Sequence, residues 1–128
     1  MLSGPESLGA EMGIRRIESG ARMSQAVVAN GVIYLAGQVA NDTAADVEGQ
    51  TRQVLAEIDR LLALAGSDKR HILTANVYLA DIGSFADMNR AWDAWVAADA
   101  KPARATLEAK LAAPAYRVEV QVTALAGG

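Results

Sequence analysis

Hydrophobic and polar positions change period along this chain, and the changes mark its elements. Gln25 to Ala29, then Asn30-Gly31, then Val32 to Ala36 spell a β-hairpin, because Asn-Gly supplies the two positive-φ positions of a tight turn. Ile14 to Ile17 ahead of it fits a short edge strand. From Asp46 to Ala65 the period becomes helical, with Val47, Val54, Leu55, Ile58, Leu61, Leu62 and Ala65 on one stripe and Gly66 placed to end it. Ile72 to Leu79 alternates as a strand does. Asp81 or Ser84 can cap a second helix whose stripe is Phe85, Met88, Trp92 and Trp95 or Val96, which marks both tryptophans as core. Pro102 opens another alternating run, and Arg117 to Leu125 closes the series with Val118, Val120 and Val122 inward. The order is β-β-β-α-β-α-β-β.

Two helices cover one face of such a sheet. The other face is expected to carry Asn76, Arg104, Thr106, Glu108, Glu119 and Gln121, together with Tyr34, Tyr78 and Ala36. That mixture suits neither a core nor a plain solvent surface. It predicts a symmetric oligomer with sheets facing inward and clefts at the seams.

Within this frame the run Pro102-Ala103-Arg104-Ala105-Thr106-Leu107-Glu108 carries the chemistry. Ala105, Leu107, Ala109 and Leu111 fall on one side, read as core, and Arg104, Thr106, Glu108 and Lys110 on the other. A guanidinium on a rigid strand suits bidentate capture of a carboxylate or phosphate. The competing assignment is an ion pair of Arg104 with Glu108 or Glu119.

Composition narrows the choice. At 128 residues, 52% hydrophobic and 21% charged, the chain reads as one domain over 13–128 behind a loose arm at residues 1–12. It contains no cysteine, so thiolate nucleophiles, thiolate metal sites and disulfides are excluded. The single histidine, His71, follows Ser67-Asp68-Lys69-Arg70 and reads as a surface residue; no metal site and no cofactor are expected. A net charge of −3 and scattered Lys and Arg argue against a nucleic-acid groove. No apolar run has membrane-spanning length, and no leader pattern opens the chain, so a soluble cytoplasmic protein is expected. Phosphate-cradling glycine motifs, calcium loops and nucleophile elbows are missing.

Several of these motifs, in this order, resemble the reactive-intermediate deaminase (RidA or YjgF) family from about Ala21 onward. They are Leu35-Ala36-Gly37-Gln38, Val77-Tyr78-Leu79-Ala80-Asp81 leading to Phe85 and Asn89, Pro102-Ala103-Arg104 with Glu108, and Arg117-Val118-Glu119-Val120-Gln121. The resemblance implies an α+β, chorismate-mutase-like (YjgF-like) mixed β-sheet packed on one face by two helices, assembled as a homotrimer with a site at each subunit seam. It implies hydrolysis of 2-imino or 2-enamino acids to 2-oxo acids and ammonia, with Arg104 as the clamp for a small-molecule carboxylate and Gly37 as a backbone contact. Three positions depart from the best-known members: Met23 replaces a pocket Tyr, Thr106 a Cys, and Gln121 a Glu thought to hold the attacking water. Gln can orient a water but cannot take its proton, which leaves Glu119, two residues away, as the candidate base. The candidate catalytic residues are thus Arg104, Gln121 and Glu119, and the substrate-binding ones Arg104, Gly37, Thr106, Met23 and Tyr34. The alternative is a protein of this fold that binds a 2-oxo-acid-like carboxylate without chemistry. A nuclease or translation-inhibiting role, a label some family members carry, fits the acidic balance poorly.

Overall fold

A computed structural model describes residues 13–127; the expected arm at residues 1–12 lies outside them. Six strands form one sheet: β1 (Ile14–Ser19), β2 (Ser24–Ala29), β3 (Val32–Leu35), β4 (Ile72–Leu79), β5 (Ala103–Glu108) and β6 (Val118–Leu125). Two helices, α1 (Val47–Leu64) and α2 (Phe85–Trp95), interrupt the series. The spatial order is β1-β2-β3-β6-β4-β5, with β4 and β5 parallel and every other pair antiparallel. The α+β class, the element order and the two-helix layer match the sequence reading.

Local chemistry explains the boundaries. Asn30 at φ 52° and Gly31 at φ 76° make the tight turn that sets the β2–β3 register. Asp46 caps α1 by accepting from the Gly49 amide at 2.8 Å, and Gly66 at φ 82° lets the chain leave the helix. Asp81 accepts from Gly83 N and so caps the short turn Ile82–Ser84 ahead of α2, while Ser84 makes no side-chain cap bond. His71 sits half-buried in the turn Lys69–His71, with Nδ1 3.0 Å from Asp68.

The core lies between the helices and one face of the sheet. Val54, Leu55, Ile58, Leu61 and Leu62 of α1 and Met88 and Trp92 of α2 pack on Ala26, Ile33, Ala75, Val77, Leu79, Val118, Val120 and Val122. Each fully buried Leu or Ile contributes about 1.5–3 kcal/mol. Trp92 is buried; Trp95 is half-buried, with its indole N–H donating to Asp59 at 3.0 Å.

The expected face of β5 is reversed. Parallel pairing sets Arg104 beside Ala75, Thr106 beside Val77 and Glu108 beside Leu79, and paired residues share a face. The polar row therefore looks toward the helix layer, and Ala105 and Leu107 look outward with Asn76 and Tyr78. Neither is core: both are exposed. The reason is position. β5 is the edge of the sheet, and the part of α2 opposite Arg104 offers an amide and aromatic faces that accept a cation. The alternation also stops early: the strand ends at Glu108, where Ala109 N donates to Leu79 O at 2.9 Å. The open face thus carries Asn76, Tyr78, Glu119, Gln121, Leu107 (44% exposed) and Tyr34 (49% exposed), without Arg104, Thr106 or Glu108.

Candidate functional site

Arg104 is held by one face of α2. Phe85, Met88, Asn89 and Trp92 are spaced i, i+3, i+4 and i+7, so their side chains line one stripe. The guanidinium carbon stands 4.9 Å from the Trp92 ring centroid and 5.7 Å from that of Phe85, within cation–π range. Nη1 donates to Asn89 Oδ1 at 2.8 Å and lies 4.0 Å from Met88 Sδ. Burial lowers its pKa, and the more distant Asp93 carboxylate works against that shift. Among the described residues Arg104 forms no ion pair. Glu108 instead accepts from Ile82 N at 3.1 Å, and Glu119 lies on the other face of the sheet. Within one chain, then, Arg104 pairs with neither of these two carboxylates, and the groups that hold the cation are neutral.

Thr106, two residues along the same strand face, has a buried hydroxyl with no hydrogen-bond partner among the described residues. Such an orphan costs about 1–3 kcal/mol.

The second group lies on the open face. A Cβ placed on Gly37 would fall 2.0 Å from Glu119 Oε2, so the carboxylate lies across the bare backbone at Gly37. In this rotamer the approach leaves no room for a Cβ at position 37. The Glu119 carboxylate makes no hydrogen bond or ion pair among the described residues. Gln38 continues the chain by exchanging backbone bonds with Val120 at 2.8 and 3.1 Å, and its buried side chain donates to Gln25 Oε1 and Ala36 O, both at 3.0 Å.

Gln121 is engaged elsewhere. Its Nε2 donates to Leu35 O and Val122 O, both at 3.1 Å, and its Oε1 accepts from Asn76 Nδ2 at 3.2 Å. The Leu35 carbonyl stands where β3 leaves the ladder, so Gln121 closes a gap in the sheet. Met23, in the turn before β2, is 51% exposed.

Arg104 and Thr106 are thus together, as are Gly37 and Glu119, and Gln121 joins Asn76; the first pair and the other two occupy opposite sides of one sheet. A cavity of about 500 Å³ bounded by Ala80, Glu108 to Pro114 and Tyr116 contains none of the candidate residues apart from the strand end. Its lining is mostly Ala, Leu and Pro with Glu108, Lys110 and Tyr116 among them, and it holds neither Arg104 nor Glu119. Asn89 is the partner of Arg104 that periodicity did not single out. Its signal was present all the same: it is the polar position within the Phe85–Trp92 stripe. No helix among the described residues is long and apolar enough to cross a membrane.

Comparisons with known proteins agree with this architecture. The family model described as endoribonuclease L-PSP matches residues 13–126. A RutC family protein of Haemophilus ducreyi is 49% identical over 87% of this chain and 95% of its own length. The RutC family protein YoaB of Escherichia coli is 45% identical over 88% and 98%. Among solved structures, a member of the YjgF protein family from Neisseria meningitidis superposes with a TM-score of 0.87 at 51% identity, covering 90% of this chain and 96% of that one. The name attached to a 41% identical Salmonella typhimurium structure, a putative translation initiation inhibitor with a TM-score of 0.81 over 88% of this chain and 96% of that one, shows that labels vary within a constant fold. On a family match spanning the described domain and on relatives of this similarity, the chain belongs to the endoribonuclease L-PSP family, the YjgF or RutC group.

Proposed function

We propose that this protein is a deaminase that hydrolyses 2-imino or 2-enamino acids to 2-oxo acids and ammonia, at sites shared between subunits of a homotrimer. The observation that carries the reading is the Arg104 guanidinium, half-buried, oriented and unneutralised among Phe85, Met88, Asn89 and Trp92. Such a cation is completed by an anion from outside the chain, and a small carboxylate matches its fork.

The chemistry asks little of the protein. With the carboxylate on Arg104, water adds to the C=N carbon, forming a C–O bond as its proton passes to a base. That proton is delivered to nitrogen, giving the carbinolamine; the hydroxyl proton then follows it to nitrogen, the C–N bond breaks, and ammonia leaves as the carbonyl forms. Glu119 is the base in this reading: its carboxylate has no partner among the described residues, whereas the Gln121 amide cannot take a proton and is spent on Leu35 and Val122. Because Arg104 and Glu119 lie on opposite sides of one sheet, one subunit supplies the clamp and its neighbour the base. The outward row of Leu107, Ala105, Tyr78 and Tyr34 supplies apolar surface for that assembly. Neither step calls for a cofactor, and the setting is taken as cytoplasmic.

A ribonuclease role, suggested by the family's name, is less well supported. Arg52, Arg60, Arg70 and Arg90 are each paired to carboxylates, and the net charge is −3, a balance that works against holding a phosphate backbone. Carboxylate binding without turnover is the second reading, favoured by Gln121 standing where the family carries Glu.

The test is ammonia release from 2-imino acids generated in situ by an amino-acid oxidase. Arg104→Ala is expected to lower kcat/KM by at least about 30-fold, the low end of losing a charged, hydrogen-bonded partner. Glu119→Gln should cost roughly 10²–10⁴-fold. Wild-type rates no faster than buffer, with pyruvate still bound, would select the binding reading. Turnover undisturbed in Arg104→Ala would sink both.

A further inference from the structure

We infer that Asn89 is the positioning residue of the anion clamp: its neutral amide fixes the Arg104 guanidinium in direction without cancelling its charge. The inference rests on the reading that Arg104 binds a carboxylate, and it adds how the fork is kept available.

The geometry is specific. Asn89 Oδ1 accepts from Nη1, whereas Nε and Nη2 make no hydrogen bond among the described residues. A guanidinium only donates, so the amide must turn its oxygen to Arg104 and its NH2 group away. Nη1 has two N–H groups, one on Asn89 Oδ1 and the nitrogen also against Met88 Sδ, which encumbers the end-on pair and leaves Nε and Nη2, the side-on fork that takes both oxygens of a carboxylate. Trp92 and Phe85 at 4.9 and 5.7 Å limit swinging of the side chain. Every group in contact is neutral. A carboxylate at position 89 would fit the same space, yet it would hold the guanidinium in an internal ion pair and compete with the ligand.

That contrast separates positioning from mere packing. An Asn that only stabilised the helix–strand contact would lose anion affinity in step with stability. A positioning amide predicts a divergence: Asn89→Asp keeps or raises the thermal midpoint through the new pair with Arg104 and yet binds anions worst. Calorimetric titration with pyruvate, on the intact assembly, is to be run on wild type, Asn89→Asp, Asn89→Ala and Arg104→Ala, with thermal midpoints for each. The expected result is at least tenfold weaker pyruvate binding in Asn89→Asp, a smaller loss in Asn89→Ala, and a midpoint in Asn89→Asp no lower than in Asn89→Ala. In turnover, Asn89→Asp should raise KM by a larger factor than it lowers kcat. Pyruvate affinity within twofold of wild type in Asn89→Asp, with binding abolished in Arg104→Ala, overturns the inference and spares the clamp. Affinity losses that simply follow the order of the midpoints overturn it as well. Wild type failing to bind pyruvate removes the clamp itself and the inference with it.

Discussion

Gln121→Glu exchanges an amide for a carboxylate of nearly the same shape, and the structure says it should be costly. The amide nitrogen donates to Leu35 O and Val122 O at 3.1 Å each. A carboxylate offers neither donor and sets negative charge against two carbonyl oxygens. Two lost hydrogen bonds at about 0.5–1.5 kcal/mol each, with the Leu35 carbonyl left at the end of β3, come to about 2 kcal/mol. For a domain of this size that is a fall of roughly 6–12 °C in thermal midpoint. The pH dependence carries a sign. Because the ionised form is disfavoured in the fold, the introduced carboxyl should titrate above the free glutamate value of about 4.3. The deficit is then small below that value, where the acid is protonated in both states and regains one donor. It grows as pH rises toward the folded-state value and is full above it. Urea unfolding of both proteins at matched concentration, from pH 4 to pH 8, measures the gap. A gap near zero at pH 7, or one of constant size across the range, would show that the side chain at 121 turns away from Leu35 and that the strand end does not depend on it.

Gly37→Ala tests the carboxylate rather than the sheet. The new Cβ would fall 2.0 Å from Glu119 Oε2, the far end of a flexible side chain. The thermal midpoint should therefore shift little while turnover drops by tenfold or more; equal activity would separate Glu119 from the chemistry. Glu48 is held below the usual carboxylate range, first by its hydrogen bond from Arg90 and then by that from Arg52, and it links α1 to α2. A lowered folded-state value contributes stability above the unfolded pKa and loses it as pH falls through the folded one. Glu48→Gln should lower the midpoint at pH 7, and the gap should shrink as acidification carries the pH below the ordinary carboxylate range and through the lowered folded-state value; a gap of constant size across an acid titration refutes the assignment.

Periodicity was enough to place the strands and helices, because each has its own spacing of apolar residues and its own cap: Asp46 and Gly66 around α1, Asn30-Gly31 in the hairpin. It could not say which row of β5 meets the helices. Alternation separates Arg104 from Ala105 but is symmetric between the two sides, and the side is chosen by long-range pairing of Ala75 with Arg104. The apolar row misleads for the same reason, since an exposed apolar row and a core row have the same composition. Glu119 and Gln121 look equivalent as letters two residues apart; their difference comes from the Leu35 carbonyl, which the hairpin brings to one of them and not the other.

The strand order has a consequence for how the chain acquires its shape. β6, the last described strand in chain order, lies in the middle of the sheet, between β3 and β4. Until it arrives there are two unfinished half-sheets, a three-stranded meander of β1 to β3 and the β4-α2-β5 unit, each ending in a row of unsatisfied backbone groups. The hairpin at Asn30-Gly31 forms by local contacts, whereas Tyr34 must find Thr123 and Val77 must find Val120 across long stretches of chain. Closure by β6 is therefore the slow, cooperative event expected of non-local pairing. A chain still emerging from synthesis holds the edges of β3 and β4 open to one another and to other copies. Lesions in Val118, Val120 or Val122 should then act first on yield and aggregation, before any effect on the finished site can be read.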